Sequence, residues 1–503
     1  MNKIDPHPNV AFSLNGSNVS VVPATGERLS ETLRERLGTR DVKIGCNAGD
    51  CGACTVLVDG NPVCACLTPT QQVAGTDVET LAGLRTHDPI ALNLANRFQD
   101  HGAAQCGICT PGMMVSAVAL LRENPSPSEE DVQDALAGVL CRCTGYRKII
   151  DAVRGYPVEP ETADGKVGDA IRRVDGAEKV TGVEQFSDDI ADAGTLEVFV
   201  IRSPYPHAAF ILGDLDGFIH AADGLVAHLT ATDITGRNVF GVIPQFVDQP
   251  VFAETHVRFR GEAIAAVIGT PKAIRAFDPT TFPVTWTELP GAADIHAAQS
   301  AAAAQLHAGR ENNVMCGGYV QCGDADAALS RAAFTVEGHF SSGFVEHAYI
   351  EPEAGFARMN GERVEVYAGT QAPVMDLEAL EIILGWDRSR IRIIPTAVGG
   401  GFGSKLDISL QPFLALAAIK TGQPVRLTYT RTESMQSTTK RHPSDIKLKI
   451  GADADGKLCG FDFYGEFDTG AYASWGPTVA NRVPVHASGP YHIPDYRARS
   501  RAV

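Results

Sequence analysis

QCGICTPG at residues 105–112 and CRCTGY at residues 141–146 bracket a helical segment and set Cys106, Cys109, Cys141 and Cys143 in a C-x2-C and a C-x-C pair. Thiols in so regular a spacing point to a metal centre. Upstream, Cys46-x4-Cys51-x2-Cys54 is followed by Cys66, and C-x4-C-x2-C…C is the plant-type ferredoxin ligand pattern for a [2Fe-2S] cluster. Zinc sites favour paired C-x2-C units, so the upstream set reads as iron–sulfur. The downstream set alone could hold zinc, and its place after a ferredoxin-like segment is what makes a second cluster the preferred reading. The chain therefore reads as an electron conduit with two clusters in series.

Length and charge bound the rest. At 503 residues the chain has room for roughly three or four domains. Its 60 Asp and Glu against 43 Lys and Arg leave a formal net charge of -17, which argues against nucleic acid or an anionic membrane surface as a partner. The N-terminus shows no basic stretch ahead of an apolar run, and no apolar run approaches the roughly 18 residues a membrane span needs. A cytoplasmic protein without a membrane span is the expectation. Its 12 cysteines are not expected to form disulfides, because reducing compartments keep thiols free. Those outside the two ligand sets, Cys64, Cys316, Cys322 and Cys459, read as ordinary thiols, although Cys64 offers the first cluster a competitor to Cys66.

The hydrophobic patterning predicts an α+β multidomain chain. Residues 1–82 read as a small mixed sheet: VAFSLNG and NVSVVPA are alternating strands, LSETLRERL has helical leucine spacing, and CTVLVDGNPVCACL is a hairpin turning at Asp59-Gly60. The glycine-rich Cys46–Cys54 loop lets backbone amides approach cluster sulfurs. Residues 83–155 read as helical, with Thr110 as a capping hydroxyl before Pro111, and Ser128–Asp131 as a capping box. Val132, Ala135, Leu136, Val139 and Leu140 then fall on one helix face. Residues 156–170 read as a short polar linker with no room for a flavin domain. Mixed strands and helices follow over 171–290 and 291–503, and the Ala-rich stretch 297–304 reads as a surface helix or connecting arm.

GGGFGSK at residues 399–405 is neither G-x-G-x-x-G nor a P-loop, since Leu406 stands where a P-loop needs Ser or Thr. Consecutive glycines still let backbone N–H groups approach a ligand oxygen without side-chain obstruction. The ordered set GDCGACTVLVDG, QCGICTPG, CRCTGY, RRVDGAEKVTG, RSPYPHA, TQAP, GGGFGSK and DTGAYA resembles the xanthine dehydrogenase/aldehyde oxidoreductase family of molybdenum hydroxylases over essentially the whole chain. The resemblance implies a β-grasp ferredoxin-like domain (1–82), a helical-bundle cluster domain (83–155), an α/β hammerhead domain (171–290) and the first part of a molybdopterin-binding domain (291–503). It implies two [2Fe-2S] clusters held by Cys46, Cys51, Cys54 and Cys66 and by Cys106, Cys109, Cys141 and Cys143. It further implies that Gln105 and Cys143 contact the pterin, that Gln371 hydrogen-bonds an apical molybdenum ligand, and that Gly400, Gly401, Phe402 and Gly403 line the metal. Gln371 and Phe402 are thus the candidate catalytic positions.

Three departures matter. Ala48 stands where many relatives have Glu in the first cluster loop, Leu406 stands where purine-oxidising relatives have Glu, and the chain stops at RARSRAV, before the later pterin-binding segments and the general-base glutamate. The expectation is an iron–sulfur and partial molybdenum-cofactor subunit that hydroxylates an N-heteroaromatic compound or an aldehyde. A second molybdopterin-binding subunit carries the catalytic Glu, an FAD subunit or cytochrome accepts the electrons, and no FAD binds this chain. A non-catalytic electron-transfer subunit and a truncated, inactive product are the alternatives.

With two complete ligand sets, the purified chain is expected to carry about four iron atoms as two spectroscopically distinct [2Fe-2S] centres. Cys66→Ser is expected to remove one electron paramagnetic resonance signal and Cys64→Ser to leave both. The reverse result reassigns the ligand, and a single signal in the parent chain overturns the two-cluster reading.

Overall fold

Val10–Leu14 and Ser17–Val21 pair as an antiparallel hairpin, closed by Asn15 and Gly16 at φ of 52° and 79°, the left-handed pair that a tight hairpin turn needs. Thr55–Val58 and Asn61–Cys64 form a second hairpin across Asp59 and Gly60. Asp77–Glu79 lies between the hairpins, parallel to Val10–Leu14 and antiparallel to Thr55–Val58, completing a five-stranded sheet. Helical turns over Leu29–Glu31 and Thr32–Arg36 bury Leu29 and Leu33 in the core of this β-grasp unit. The structure is a computed structural model that describes residues 9–158, 165–169 and 171–503; residues 159–164 and 170 of the expected linker lie outside the described residues.

The second unit is helical. Thr110–Glu123 buries most of its length, with Pro89–Asp100 and Glu129–Leu136 packed on it and Arg147–Arg154 packed on those two. Two local readings are corrected. Cys109, not Thr110, occupies the cap position, and Thr110 lies inside the helix without a capping bond, because the Met113 amide already donates to the Cys109 carbonyl at 3.0 Å. The Ser128–Asp131 capping box forms, but the helix ends at Leu136, so Leu140 leaves the apolar face and is exposed. The Leu140 amide instead donates to the Cys51 carbonyl at 2.9 Å.

That bond belongs to an interlock between the two cluster domains. A Cβ on Gly52, whose φ is +66°, would stand 2.0 Å from the Gly138 carbonyl oxygen, and one on Gly112 would stand 2.5 Å from the Gly52 carbonyl oxygen. Only residues without side chains allow this approach.

Beyond the helices lies a seven-stranded sheet in the order Ile391–Pro395, Arg363–Ala368, Ala354–Asn360, Val425–Thr428, Leu196–Arg202, Ala263–Gly269, Leu225–Leu229. It draws strands from both sides of residue 290, so that division runs through a shared sheet. Pro373–Leu384 and Gln411–Thr421 pack with it into the largest apolar core. A three-stranded sheet carries Val284–Glu288, Ala208–Leu212 and His256–Val257. The last sheet has five strands, with Asp495–Ala502 inside it between Cys316–Cys322 and Leu458–Phe467. In the Ala-rich stretch only Ile295–Ala298 is helical. Among the described residues no helix is long and apolar enough to cross a membrane.

Gly52→Ala is expected to cost about 2–4 kcal/mol, combining left-handed strain with overpacking. Gly60→Ala, at a φ of +79° with nothing within 4 Å of the added carbon, bears the strain alone, about 1 kcal/mol. Urea unfolding of both variants checks the difference, and equal losses would show that the close approach carries no weight.

Candidate functional site

The first thiol set folds around its own backbone. The amides of Ala48, Asp50 and Cys51 point at the Cys46 sulfur at 3.3, 3.2 and 3.3 Å, and the Cys46 amide at the Cys51 sulfur at 3.3 Å. Asn47, Gly49 and Gly52 take positive φ to make that wrap. Such N–H groups stabilise charge on sulfur, which is what a cluster places there. Hydrogen bonds from Cys51 and Cys66 hold the Cys46 thiol far below its ordinary range, while Cys64 and Cys66 raise Cys54. Cys64 therefore touches the set, with its sulfur 4.0 Å from the Gly49 carbonyl oxygen.

The second set is brought together by two chain segments. Cys106 and Cys109 lie at the start of Thr110–Glu123, while Cys141 and Cys143 lie in the loop before Arg147–Arg154. That loop is pinned by Tyr146, left-handed at φ +67°. Its hydroxyl receives the Cys141 amide at 2.9 Å and donates to the Val139 carbonyl at 3.1 Å. Cys106 hydrogen-bonds with Cys143, and Cys109 with Cys141. Among the described residues no three His, Cys, Asp or Glu side chains meet at one ion-sized point. Cys141 also hydrogen-bonds with Cys143, so the four thiols stand as one linked group. Gln105 is exposed, its carbonyl taking a hydrogen bond from Arg173; Cys143 is half-buried.

The glycine turn meets the second cluster loop. A Cβ on Gly399 would stand 2.3 Å from the Glu351 Cβ and 3.1 Å from the Ile108 Cβ, so the turn packs against both that glutamate and the C-x2-C loop. A Cβ on Gly400 would meet Tyr349 at 2.9 Å, and one on Gly401 would meet Gln371 Oε1 at 2.4 Å. The Gly403 amide donates to Gln371 Oε1 at 3.0 Å, and the Gln371 amide to the Lys405 carbonyl at 2.9 Å. Phe402 sits at φ +53° with its side chain 47% exposed, a strained and open placement of the kind found at ligand sites. Gln371 and Gly400–Gly403 thus pack as one cradle, in which Tyr349 and Gln371 cover Gly400 and Gly401 and Gly403 alone has open space where a side chain would stand. Cys51, Ala53, Ile108, Phe186 and Ile350 close a small apolar cluster between the two thiol sets. Sequence reasoning missed Glu351 and Lys405, the buried pair under the turn. Their charges are visible in the sequence but their burial is not.

Four family models match in order: a 2Fe-2S iron-sulfur cluster binding domain over 12–81, a [2Fe-2S] binding domain over 80–154, the aldehyde oxidase and xanthine dehydrogenase a/b hammerhead domain over 181–278, and a molybdopterin cofactor-binding domain over 306–503. These define a chain of two [2Fe-2S]-binding domains, a hammerhead domain and a molybdopterin-binding part. Aldehyde oxidoreductase from Megalodesulfovibrio gigas is 31% identical over 520 residues, covering 98% of this chain and 57% of that protein. The solved structure of aldehyde oxidoreductase from Desulfovibrio gigas superposes with a TM-score of 0.93 at 30% identity, covering 99% of this chain and 57% of that one. Two subunits of nicotinate dehydrogenase from Eubacterium barkeri also match. The large molybdopterin subunit is 36% identical over 66% of this chain and 77% of its own length, and the small FeS subunit 45% identical over 32% and 98%. The chain belongs to the xanthine dehydrogenase/aldehyde oxidoreductase family of molybdenum hydroxylases. It spans little more than half the length of the aldehyde oxidoreductase it matches, and it joins in one polypeptide what nicotinate dehydrogenase keeps in two.

Behind Gln371, Asp376 is fully buried and takes a hydrogen bond from Gln411 Nε2 at 3.0 Å. Burial pushes its pKa up to about 6, opposed by the Thr370 and Gln411 hydrogen bonds and reinforced by Asp407. The folded protein therefore holds this proton more tightly than the unfolded chain does. The resulting stability is present below about pH 4 and is lost as pH rises through about 6, by up to about 3 kcal/mol. Asp376→Asn cannot ionise. Its stability relative to the parent is expected to improve by up to that amount between about pH 4 and pH 7.5. Denaturant unfolding at both pH values checks this, and an unchanged difference overturns it.

Proposed function

We propose that this chain is the iron–sulfur and partial molybdenum-cofactor portion of a hydroxylase that oxidises an aldehyde or an N-heteroaromatic compound with oxygen from water. The observation that carries the reading is the contact of the Gly399–Gly403 turn with Ile108 of the second thiol loop, which joins cofactor cradle and electron acceptor in one buried junction. The bound cofactor supplies the two-electron oxidation. Gln371, braced by the Gly403 amide, orients a polar ligand at the cradle, and Phe402 offers an apolar face to a flat substrate. Gln105 and Cys143 contact the pterin, and the eight thiols of the two sets hold the clusters. Electrons pass from the second set to the first across the apolar cluster of Cys51, Ala53 and Ile108. They leave where Asn47, Ala48 and Asp50 are exposed, toward an FAD subunit or a cytochrome and not through a flavin on this chain.

We further propose that a partner polypeptide completes the cofactor site with further pterin contacts and a general-base glutamate. Support comes from the nicotinate dehydrogenase relative, which is built from more than one polypeptide, with its break between the two parts that this chain joins. A well-placed base is worth typically 10²- to 10⁴-fold in rate. The chain alone is expected to show iron–sulfur absorbance but no molybdenum-dependent turnover, and addition of the partner to restore it. Leu406 denies a purine the charge-assisted hydrogen bond an acidic residue gives, a loss of about 1.5 to 3 kcal/mol, so the complex is expected to favour aldehydes or pyridine-type heterocycles over xanthine. Turnover by the chain alone overturns the shared cofactor; faster turnover of xanthine overturns the substrate assignment.

A further inference from the structure

Under the glycine turn one carboxylate gathers three parts of the chain. Glu351 Oε2 accepts from Lys405 Nζ at 2.8 Å and from the Gly399 amide at 2.7 Å, and Oε1 accepts from the Ser187 amide at 3.4 Å. Both charged side chains are 3% exposed. The Lys405 ammonium also sits 4.8 Å from the centre of the Tyr349 ring. Ile108 also stands against the Gly399 face that Glu351 fills, and the Glu351 carboxylate lies in electrostatic range of the Cys106 sulfur. A buried ion pair is poor value as a stabiliser, because desolvation offsets its attraction and an apolar pair of similar volume does as well or better. Its charges are strongly felt in a low-dielectric interior.

We propose that Glu351 and Lys405 are positioning residues of opposite sign that hold the Gly399–Gly403 turn against the second cluster loop and set that cluster's reduction potential. This rests on the two-cluster reading above. Reduction adds one electron, and so one negative charge, to the cluster. Glu351 disfavours that charge and Lys405 favours it.

The test is a redox titration of the purified chain with dithionite, followed by electron paramagnetic resonance. Glu351→Gln is expected to raise the potential of the second cluster and Lys405→Gln to lower it. Each shift corresponds to about a tenfold change in the reduced-to-oxidised ratio at fixed potential, or 59 mV for one electron. The first cluster moves less in both, and Lys405→Arg stays near the parent. Shifts of the same sign, or none at the second cluster, overturn the inference. The double variant Glu351→Gln/Lys405→Gln leaves no unpaired buried charge and serves where a single variant fails to fold. In it, amide hydrogen exchange over residues 399–403 and 105–109 is expected to quicken about tenfold, with residues 46–54 unchanged; unchanged exchange at the turn overturns the inference. A parent chain with fewer than two cluster signals overturns the two-cluster reading, whereas two signals with uncoupled variants overturn this inference alone.

Discussion

The Glu351 carboxylate is the point on which the arrangement around the turn depends. It accepts hydrogen bonds from the Gly399 and Ser187 amides and from Lys405, so both ends of the glycine-rich stretch and the distant segment at Ser187 meet on it. A buried donor left without an acceptor costs about 1–3 kcal/mol, so the turn, the segment at Ser187 and the lysine cannot move independently. Gly399 has to be glycine for this to happen, since a side chain would fill the space Glu351 and Ile108 already occupy. Position in the cradle and position of the second thiol loop are thereby one variable.

The same logic docks the first cluster domain. Arg34, 3% exposed, meets Asp188 at 2.7 Å and Asp189 at 2.9 Å, and Lys43 meets Asp189 at 2.7 Å. Burial pulls the Lys43 ammonium below its ordinary range against the opposing pull of Asp189. Arg431 donates to the Gly45 carbonyl of that domain at 3.5 Å as well as to the Tyr349 and Ile350 carbonyls at 2.8 and 2.7 Å. Breaking one partner of a buried pair costs about 3–5 kcal/mol, whereas replacing both with apolar groups can be neutral. These contacts therefore act more on register than on net stability. Register is what the proposed electron path between the two thiol loops requires.

The hairpins, the cluster loops and the Ser128 cap were legible because each is decided by residues close in sequence. Asn15-Gly16 and Asp59-Gly60 impose their turns through backbone conformation alone, and thiol spacing alone separates a ferredoxin loop from a zinc ribbon. Local signals failed where a long-range contact competed with them. Leu140 keeps helical spacing with Leu136, yet its amide is taken by Cys51 and the helix stops short. Thr110 has the chemistry of a cap, but the cap position falls to Cys109.

The sequence by itself determined the domain order, the two thiol sets and the glycine turn, since those depend on residue type and spacing within a few turns of chain. Only the tertiary structure decided that Gly52 nests against Gly138, that Ile108 abuts Gly399, and that Glu351 and Lys405 face each other away from water. A charged residue reads the same in a sequence whether it is solvated or buried. Its burial follows from the packing of segments tens to hundreds of residues apart, which no local pattern encodes.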